Sequence, residues 1–133
     1  MAVQLNHTIV ASRDKRVSAA FLAEILGLPE PKPFGPFLAV AVDNDVTLDF
    51  ADAGDGEIPR QHYAFLVGEA EFDAIFGRIT GRNLDYWADP HHDVPGRINT
   101  RDGGRGCYFE DPDGHNLEIL TRPYGSGGER SAG

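Results

Sequence analysis

Residues 109–120 read FEDPDGHNLEIL. Asp111, Pro112, Asp113 and Gly114 are turn residues: Pro presets φ, Gly takes up positive φ, and the aspartates bond neighbouring backbone groups. The apolar runs on either side make the stretch a β-hairpin. Glu118 does not fit that simple picture. Side chains alternate along a strand, so Asn116 and Glu118 share one face while Leu117 and Ile119 share the other. A carboxylate on a strand that buries apolar surface needs a partner.

Upstream of this hairpin, the second half of the chain reads as a strand at 61–67 (QHYAFLV) and a helix at 69–83, with Phe72, Ile75, Phe76 and Ile79 on one face. A short strand at 84–89 and a loop at 90–104 follow. The first half has the same order. A strand at 4–12 leads to a helix at 13–28, on which Val17, Ala20, Phe21, Ala23, Ile25 and Leu28 recur at near-helical spacing. Gly27 stops that helix and Pro29 and Pro31 prevent its return. A proline-rich loop spans 29–36, and FLAVAV and VTLDFAD then flank the turn residues 43–45. The chain therefore reads β-α-β-β-β twice, as module 4–53 and module 61–122 of a single α+β domain over 1–124. The segment 125–133, GSGGERSAG, reads as a disordered tail.

The repeat places like residues at like positions. His7 and His62 sit in the two opening strands, and VTLDF aligns with HNLEI, which sets Asp49 against Glu118. His7 and Asp49 are 42 residues apart, His62 and Glu118 are 56 apart, and the excess matches the extra loop at 90–104. Two imidazoles with one or two carboxylates form a divalent-metal set, suited to Zn, Fe, Ni, Co or Mn. His7, His62 and Glu118 are the expected metal ligands. Asp49 is either a further ligand, one methylene shorter than Glu, or a base. His91 and His92 fall in the long loop and are expected to be exposed. His115 is expected at the turn or surface. Cys107, the one cysteine, has no partner and no helix N-terminus near it, so it reads as packing.

Composition narrows the function. The 133 residues carry 21 acidic against 12 basic side chains, a formal charge of −9, which disfavours nucleic acid and anionic membranes as partners. No apolar run approaches the roughly 20 residues of a membrane span. A single cysteine and the lack of a basic, apolar leader fit a cytoplasmic protein. The expected partner is a small molecule, with a second copy of the chain covering apolar surface in a homodimer.

LNHTIVAS, HYAFLV and YFEDPDGHNLEIL together resemble the vicinal oxygen chelate superfamily, which includes glyoxalase I, fosfomycin-resistance thiol transferases, extradiol dioxygenases and bleomycin-resistance proteins. The resemblance covers residues 4–122. It implies paired βαβββ modules with mixed sheets curling around a cleft, and a metal held by His7, His62 and Glu118. It also implies a dimer with sites at the interface, in which His7 can come from one chain and His62 and Glu118 from its partner. Tyr108 stands where those fosfomycin enzymes line their substrate site, but Ile9 replaces their Thr and their phosphonate-gripping basic residues have no clear counterpart, which disfavours fosfomycin transfer. Glyoxalase I places a Glu where Asp49 stands. Phe65 and Trp87 join Tyr108 as expected pocket walls. The implied chemistry is isomerase or lyase type with the metal as Lewis acid, with Asp49 and Glu118 as the catalytic carboxylates. An Fe(II) dioxygenase and a non-catalytic binder of an aromatic antibiotic are the alternatives.

Overall fold

The computed structural model describes residues 2–127. Contacts divide the chain into two compact units: the first runs to Arg60 and takes in Asp111–Asp113, and the second begins at Gln61 and resumes at Gly114.

In the first unit, β1 (His7–Ser12) leads into α1 (Lys15–Leu26), followed by β2 (Lys32–Phe34), β3 (Phe37–Ala41) and β4 (Thr47–Asp52). The strands form a mixed sheet in the order β1-β4-β3-β2, with β1 parallel to β4 and the other pairs antiparallel. The Asp14 carboxylate caps α1 by accepting from the Arg16 N–H, and Gly27 closes it at φ 70. That left-handed position is one glycine adopts without a Cβ clash. Asp113 buttresses the entry to α1: its carboxylate accepts from the Arg13 N–H (2.9 Å) and from the Ser18 hydroxyl. The helix buries Ser18, Ala19, Leu22, Ala23 and Ile25, while Val17 faces solvent. This face is rotated from the one expected at Val17, Ala20 and Phe21. The run VSAAFLA is small or apolar almost throughout, so periodicity alone does not single out a stripe.

The segment read as an extended loop at 29–36 contains β2, an edge strand paired with β3. Pro33 is compatible with that place because an edge strand can leave a backbone group unpaired.

The second unit repeats the order. β5 (His62–Leu66) is followed by α2 (Glu69–Gly81), β6 (Tyr86–Trp87), a single 3₁₀ turn at Arg101–Gly103, β7 (Gly106–Glu110) and β8 (Asn116–Leu120). The sheet order is β5-β8-β7-β6, again with the outer first strand parallel to the last. Glu69 and Glu71 lie in the first turn of α2, where the helix dipole favours negative charge. Phe72, Ile75 and Ile79 are buried, and Phe76 stacks on Phe72 with ring centroids 5.9 Å apart. Arg105 reaches from the start of β7 to Glu69 and Asp73 and lies over the Phe72 ring, which ties helix to sheet. The core of this unit is Phe72, Ile75, Ile79, Cys107, Phe109, Leu117 and Ile119.

The fold class is α+β, two four-stranded mixed sheets each with one helix, as the repeated pattern predicts. The register makes the repeat exact at the residues that matter. β1 pairs His7 with Thr47 and Ile9 with Asp49, and β5 pairs His62 with Asn116 and Ala64 with Glu118. Each acid therefore lies two residues beyond the partner of its histidine, on the same sheet face. No helix among the described residues is long and apolar enough to cross a membrane.

Candidate functional site

One face of the second sheet gathers the polar residues. Paired residues in neighbouring strands project to the same side. His62, Asn116 and Glu110 therefore form one row, and Ala64, Glu118, Tyr108 and Trp87 the next. At the centre, His62 Nε2 lies 2.9 Å from Glu118 Oε1. A carboxylate offers only acceptors, so Nε2 is the donor in that contact. The two differ in exposure: the His62 side chain is 46% exposed and that of Glu118 12%. The histidine thus presents an open flank while the carboxylate sits in the sheet.

Tyr108 is buried beside this pair, with its ring centroid 5.7 Å from that of His62. Its hydroxyl accepts from Arg101 Nη1 (3.0 Å), and Glu118 stands directly opposite it in the β7–β8 register. Burial and the Glu118 charge push the phenol's pKa up, against a smaller opposing pull from Arg101. Tyr108 is therefore a neutral hydrogen-bonding group in the ordinary pH range.

Trp87 stands beside Tyr108 in the sheet, and His92 stacks on its ring at 3.7 Å with the planes 1° apart. His92 Nε2 lies 2.9 Å from Asn116 Oδ1, while Asn116 Nδ2 donates to the Pro90 carbonyl (3.2 Å). His92 is thus half-buried over the site face rather than exposed, and it has left-handed backbone at φ 64. The Asp89 carboxylate holds this bend by accepting from the N–H groups of Asp93 (3.0 Å) and Val94 (2.8 Å). The paired histidines between Pro90 and Asp93 were the visible signal, but their placement depends on these contacts.

The remaining predicted residues are dispersed. Phe65 lies on the other face of β5 from His62, as alternation requires. In the first unit, Asp49 is buried on β4 and His7 is exposed on β1, with its Nδ1 2.7 Å from Asn6 Oδ1. No hydrogen bond or ion pair joins His7 to Asp49 among the described residues, in contrast to His62 and Glu118.

Glu118 also lines a small recess with Asn99, Arg101, Leu120, Arg122 and Tyr124. The glycines of RDGGRG make this packing possible. A Cβ on Gly104 would lie 2.5 Å from Arg122 Cγ and 2.6 Å from Thr121 Oγ1. Gly104→Ala is expected to cost about 1–3 kcal/mol through this overpacking, read as a lower midpoint in urea unfolding. Asp102 ties the next segment down, accepting from the N–H groups of Gly125 (3.2 Å) and Gly127 (3.0 Å). Those residues form a turn, and the rest of the tail read as disordered, 128–133, lies outside the described residues.

Within the DPDGH turn, Asp111, Asp113 and His115 offer ligand atoms within 4.8 Å of one another. These groups have structural work already. Asp111 accepts from the Asp113 N–H and Asp113 buttresses α1. His115 is fully buried, contrary to its expected surface place, and its Nδ1 accepts from the Gln61 N–H (3.0 Å).

Cys107 is fully buried, and burial, aided by the Glu118 charge, pushes its thiol up to about 12. The thiolate is the reactive form. At pH 8 the folded protein is therefore expected to resist iodoacetamide and to label at one site only in denaturant, as mass spectrometry would show.

A family model described as the glyoxalase/bleomycin resistance protein/dioxygenase superfamily matches residues 4–119. The chain belongs to this superfamily. Glutathione transferase FosA of Serratia marcescens is 30% identical over 125 residues, 90% of this chain and 81% of that protein. The solved structure named oxidase ChaP-H1 is 68% identical with a TM-score of 0.90, over 93% of this chain and 99% of that one. Oxidase ChaP-H2 is 65% identical with a TM-score of 0.92, over 96% of this chain and 100% of that one. The superfamily assignment agrees with the two mixed sheets and the repeated order of elements.

Proposed function

We propose that this chain is a divalent-metal-dependent oxidase acting on a small oxygenated organic molecule, with the metal held by His62, Glu118 and His7. The contact between His62 Nε2 and Glu118 Oε1 at 2.9 Å carries the reading. Two ligand atoms at roughly 2.1 Å from one ion, at right angles, stand about 3 Å apart. The pair is therefore already spaced as neighbouring ligands, and it combines the imidazole and carboxylate donors that suit iron, manganese and zinc. Likeness to two proteins named as oxidases, at 68% and 65% identity, favours oxidation over the isomerase or lyase chemistry expected from the sequence. A bound ion of this kind supplies Lewis acidity and, as Fe(II) on two histidines and one carboxylate, access to dioxygen chemistry.

The protein's own groups have distinct tasks in this reading. Glu118 stands opposite Tyr108 in the sheet, and the phenol offers a hydrogen bond beside the site without carrying charge. Trp87 and His92 wall the face on the Tyr108 side. Asp49 remains a ligand or base contributed by the first unit.

Exposed apolar residues flank both histidines: Leu5 and Ile9 near His7, and Leu66 on the face of His62. We therefore infer a homodimer that covers these faces, with His7 of one protomer serving the site of the other.

The test is to reconstitute the protein anaerobically with Fe(II), Mn(II), Co(II), Ni(II) or Zn(II). Oxygen uptake is then followed with catechols, hydroquinones and dicarbonyls. Iron-dependent oxygen consumption is the expected result. Conversion of a dicarbonyl without oxygen uptake would restore the isomerase or lyase reading, and a protein that retains no metal would remove both. Sedimentation showing a monomer would remove the shared site.

A further inference from the structure

We infer that Arg101 is a positioning residue for the Glu118 carboxylate, acting through the Tyr108 hydroxyl. The inference rests on the reading of Glu118 as a metal ligand.

The direction of the hydrogen bonds carries the argument. A guanidinium has donors and no acceptor. In the 3.0 Å contact between Arg101 Nη1 and Tyr108 Oη, the phenol oxygen must therefore accept. Its single hydrogen is then directed elsewhere. Tyr108 and Glu118 are directly opposed in the β7–β8 register, so the carboxylate is the acceptor that faces the phenol. The carboxylate is acceptor-only, so the phenol's remaining hydrogen is directed to it. The chain of bonds therefore runs in one sense, from Arg101 to Tyr108 to Glu118, and His62 donates to the carboxylate from its other neighbour. Each donor polarises the next, so the Tyr108–Glu118 bond is strengthened by the charge behind it.

Arg101 is placed for this by contacts that do not involve the site. Its backbone N–H donates to Asn99 Oδ1 (3.2 Å), and Asn99 Nδ2 donates to the Ala88 carbonyl (2.9 Å). The Asn99 and Gly106 backbones bond reciprocally at 2.8 and 3.0 Å. Gly106 allows the close approach, since a Cβ there would lie 3.0 Å from Asn99 Oδ1. Asp102, beside Arg101, has left-handed backbone at φ 57 and anchors the 125–127 turn. The guanidinium is thus delivered to Tyr108 from a braced loop, and its carbon sits 5.9 Å from the ring centroid. The motif TRDGGRG, residues 100–106, gains a purpose that a plain surface loop would not need.

Partners that orient a ligating carboxylate typically change metal affinity by about 10–100-fold when lost. The test is a double-mutant cycle on Co(II) affinity, measured by calorimetry on wild type, Arg101→Met, Tyr108→Phe and the double variant. Arg101→Met and Tyr108→Phe are each expected to weaken Co(II) by about 10-fold. The double variant is expected to be no more than about 2-fold worse than Tyr108→Phe, because residues acting through one contact are not additive. Arg101→Lys, which keeps a donor, is expected to recover most of the affinity. Equal losses from Arg101→Met in both backgrounds, or no loss, would overturn the inference.

A metal-free readout separates this from the metal assignment. The near-ultraviolet band of Tyr108, taken as wild type minus Tyr108→Phe, is expected to shift in Arg101→Met apoprotein. An unshifted band overturns the positioning role even if metal binds. A shifted band with no Co(II) binding by wild type keeps the hydrogen-bond relay, removes the proposed metal site, and so overturns the role toward a ligand.

Discussion

His62→Ala is expected to bind divalent metal more than about 100-fold more weakly than wild type, because deleting a ligand should exceed the 10–100-fold cost of losing a group that merely orients one. His62 is half-exposed and takes no part in the core, so the variant should fold. Its loss leaves Glu118 without the imidazole, 2.9 Å away, that the proposed metal site pairs with it. Two measurements read the result. Plasma emission analysis should find wild type holding metal and the variant nearly empty. Thermal unfolding should show wild type stabilised on metal addition by about 2.7 kcal/mol when the ion is at 100 times its dissociation constant, and His62→Ala unchanged. Oxygen-consuming turnover should fall with occupancy. An unaltered metal content and thermal response in the variant would remove His62 from the site. A parallel Asp113→Asn variant separates the two donor sets, since Asp113 belongs to the turn cluster with Asp111 and His115 and to the entry of α1, not to the face that carries His62 and Glu118. It should lose stability through α1 while its metal content stays at the wild-type level.

The reach of sequence reasoning here follows the range of the forces involved. That His62 and Glu118 share one sheet face is legible because it depends on short-range rules: strand alternation, a hairpin turn and a repeated register. A one-residue slip would turn Glu118 to the opposite face, so the DPDG turn and the Leu117–Ile119 stripe together determine its side. The buried face of α1 departs from the expected one because its apolar and small residues form nearly continuous surface, and packing on the sheet chooses among them. His92 and Arg101 were out of reach for a different reason. Each stands in the segment between β6 and β7, whose path is determined by Asp89, Asn99 and Asp102 bonding to backbone groups. Such contacts leave no periodic trace. His115 shows the converse error: a residue next to a turn reads as exposed, yet its imidazole is buried to satisfy the Gln61 N–H. No pattern in the chain specifies the reaction, and likeness to named oxidases is what favours oxidation over isomerisation in the proposed reading.

Phe109→Ala is expected to cost about 3–5 kcal/mol, a large share of the roughly 5–15 kcal/mol that holds a domain folded. Phe109 is fully buried in β7, opposite Leu117 in β8, and belongs to the core of the second unit with Phe72, Ile75 and Ile79. Removing its ring forfeits apolar burial and leaves a cavity that a sheet paired on both sides cannot close easily. The midpoint of thermal unfolding should drop by about 10–20 °C. The neighbouring residue makes the informative contrast. Tyr108 lies one step along the same strand on the opposite face, and Tyr108→Phe keeps the ring while removing one hydroxyl. Its stability change should stay near the 0.5–1.5 kcal/mol of a single hydrogen bond, while its effect on metal affinity is the larger one. Phe109→Ala should do the reverse, retaining metal at 4 °C and losing it on mild warming as the unit unfolds. If Phe109→Ala lost metal while still fully folded by circular dichroism, the core would be shaping the ligand directly. Alternation along β7 would then fail as the divider between stability and site.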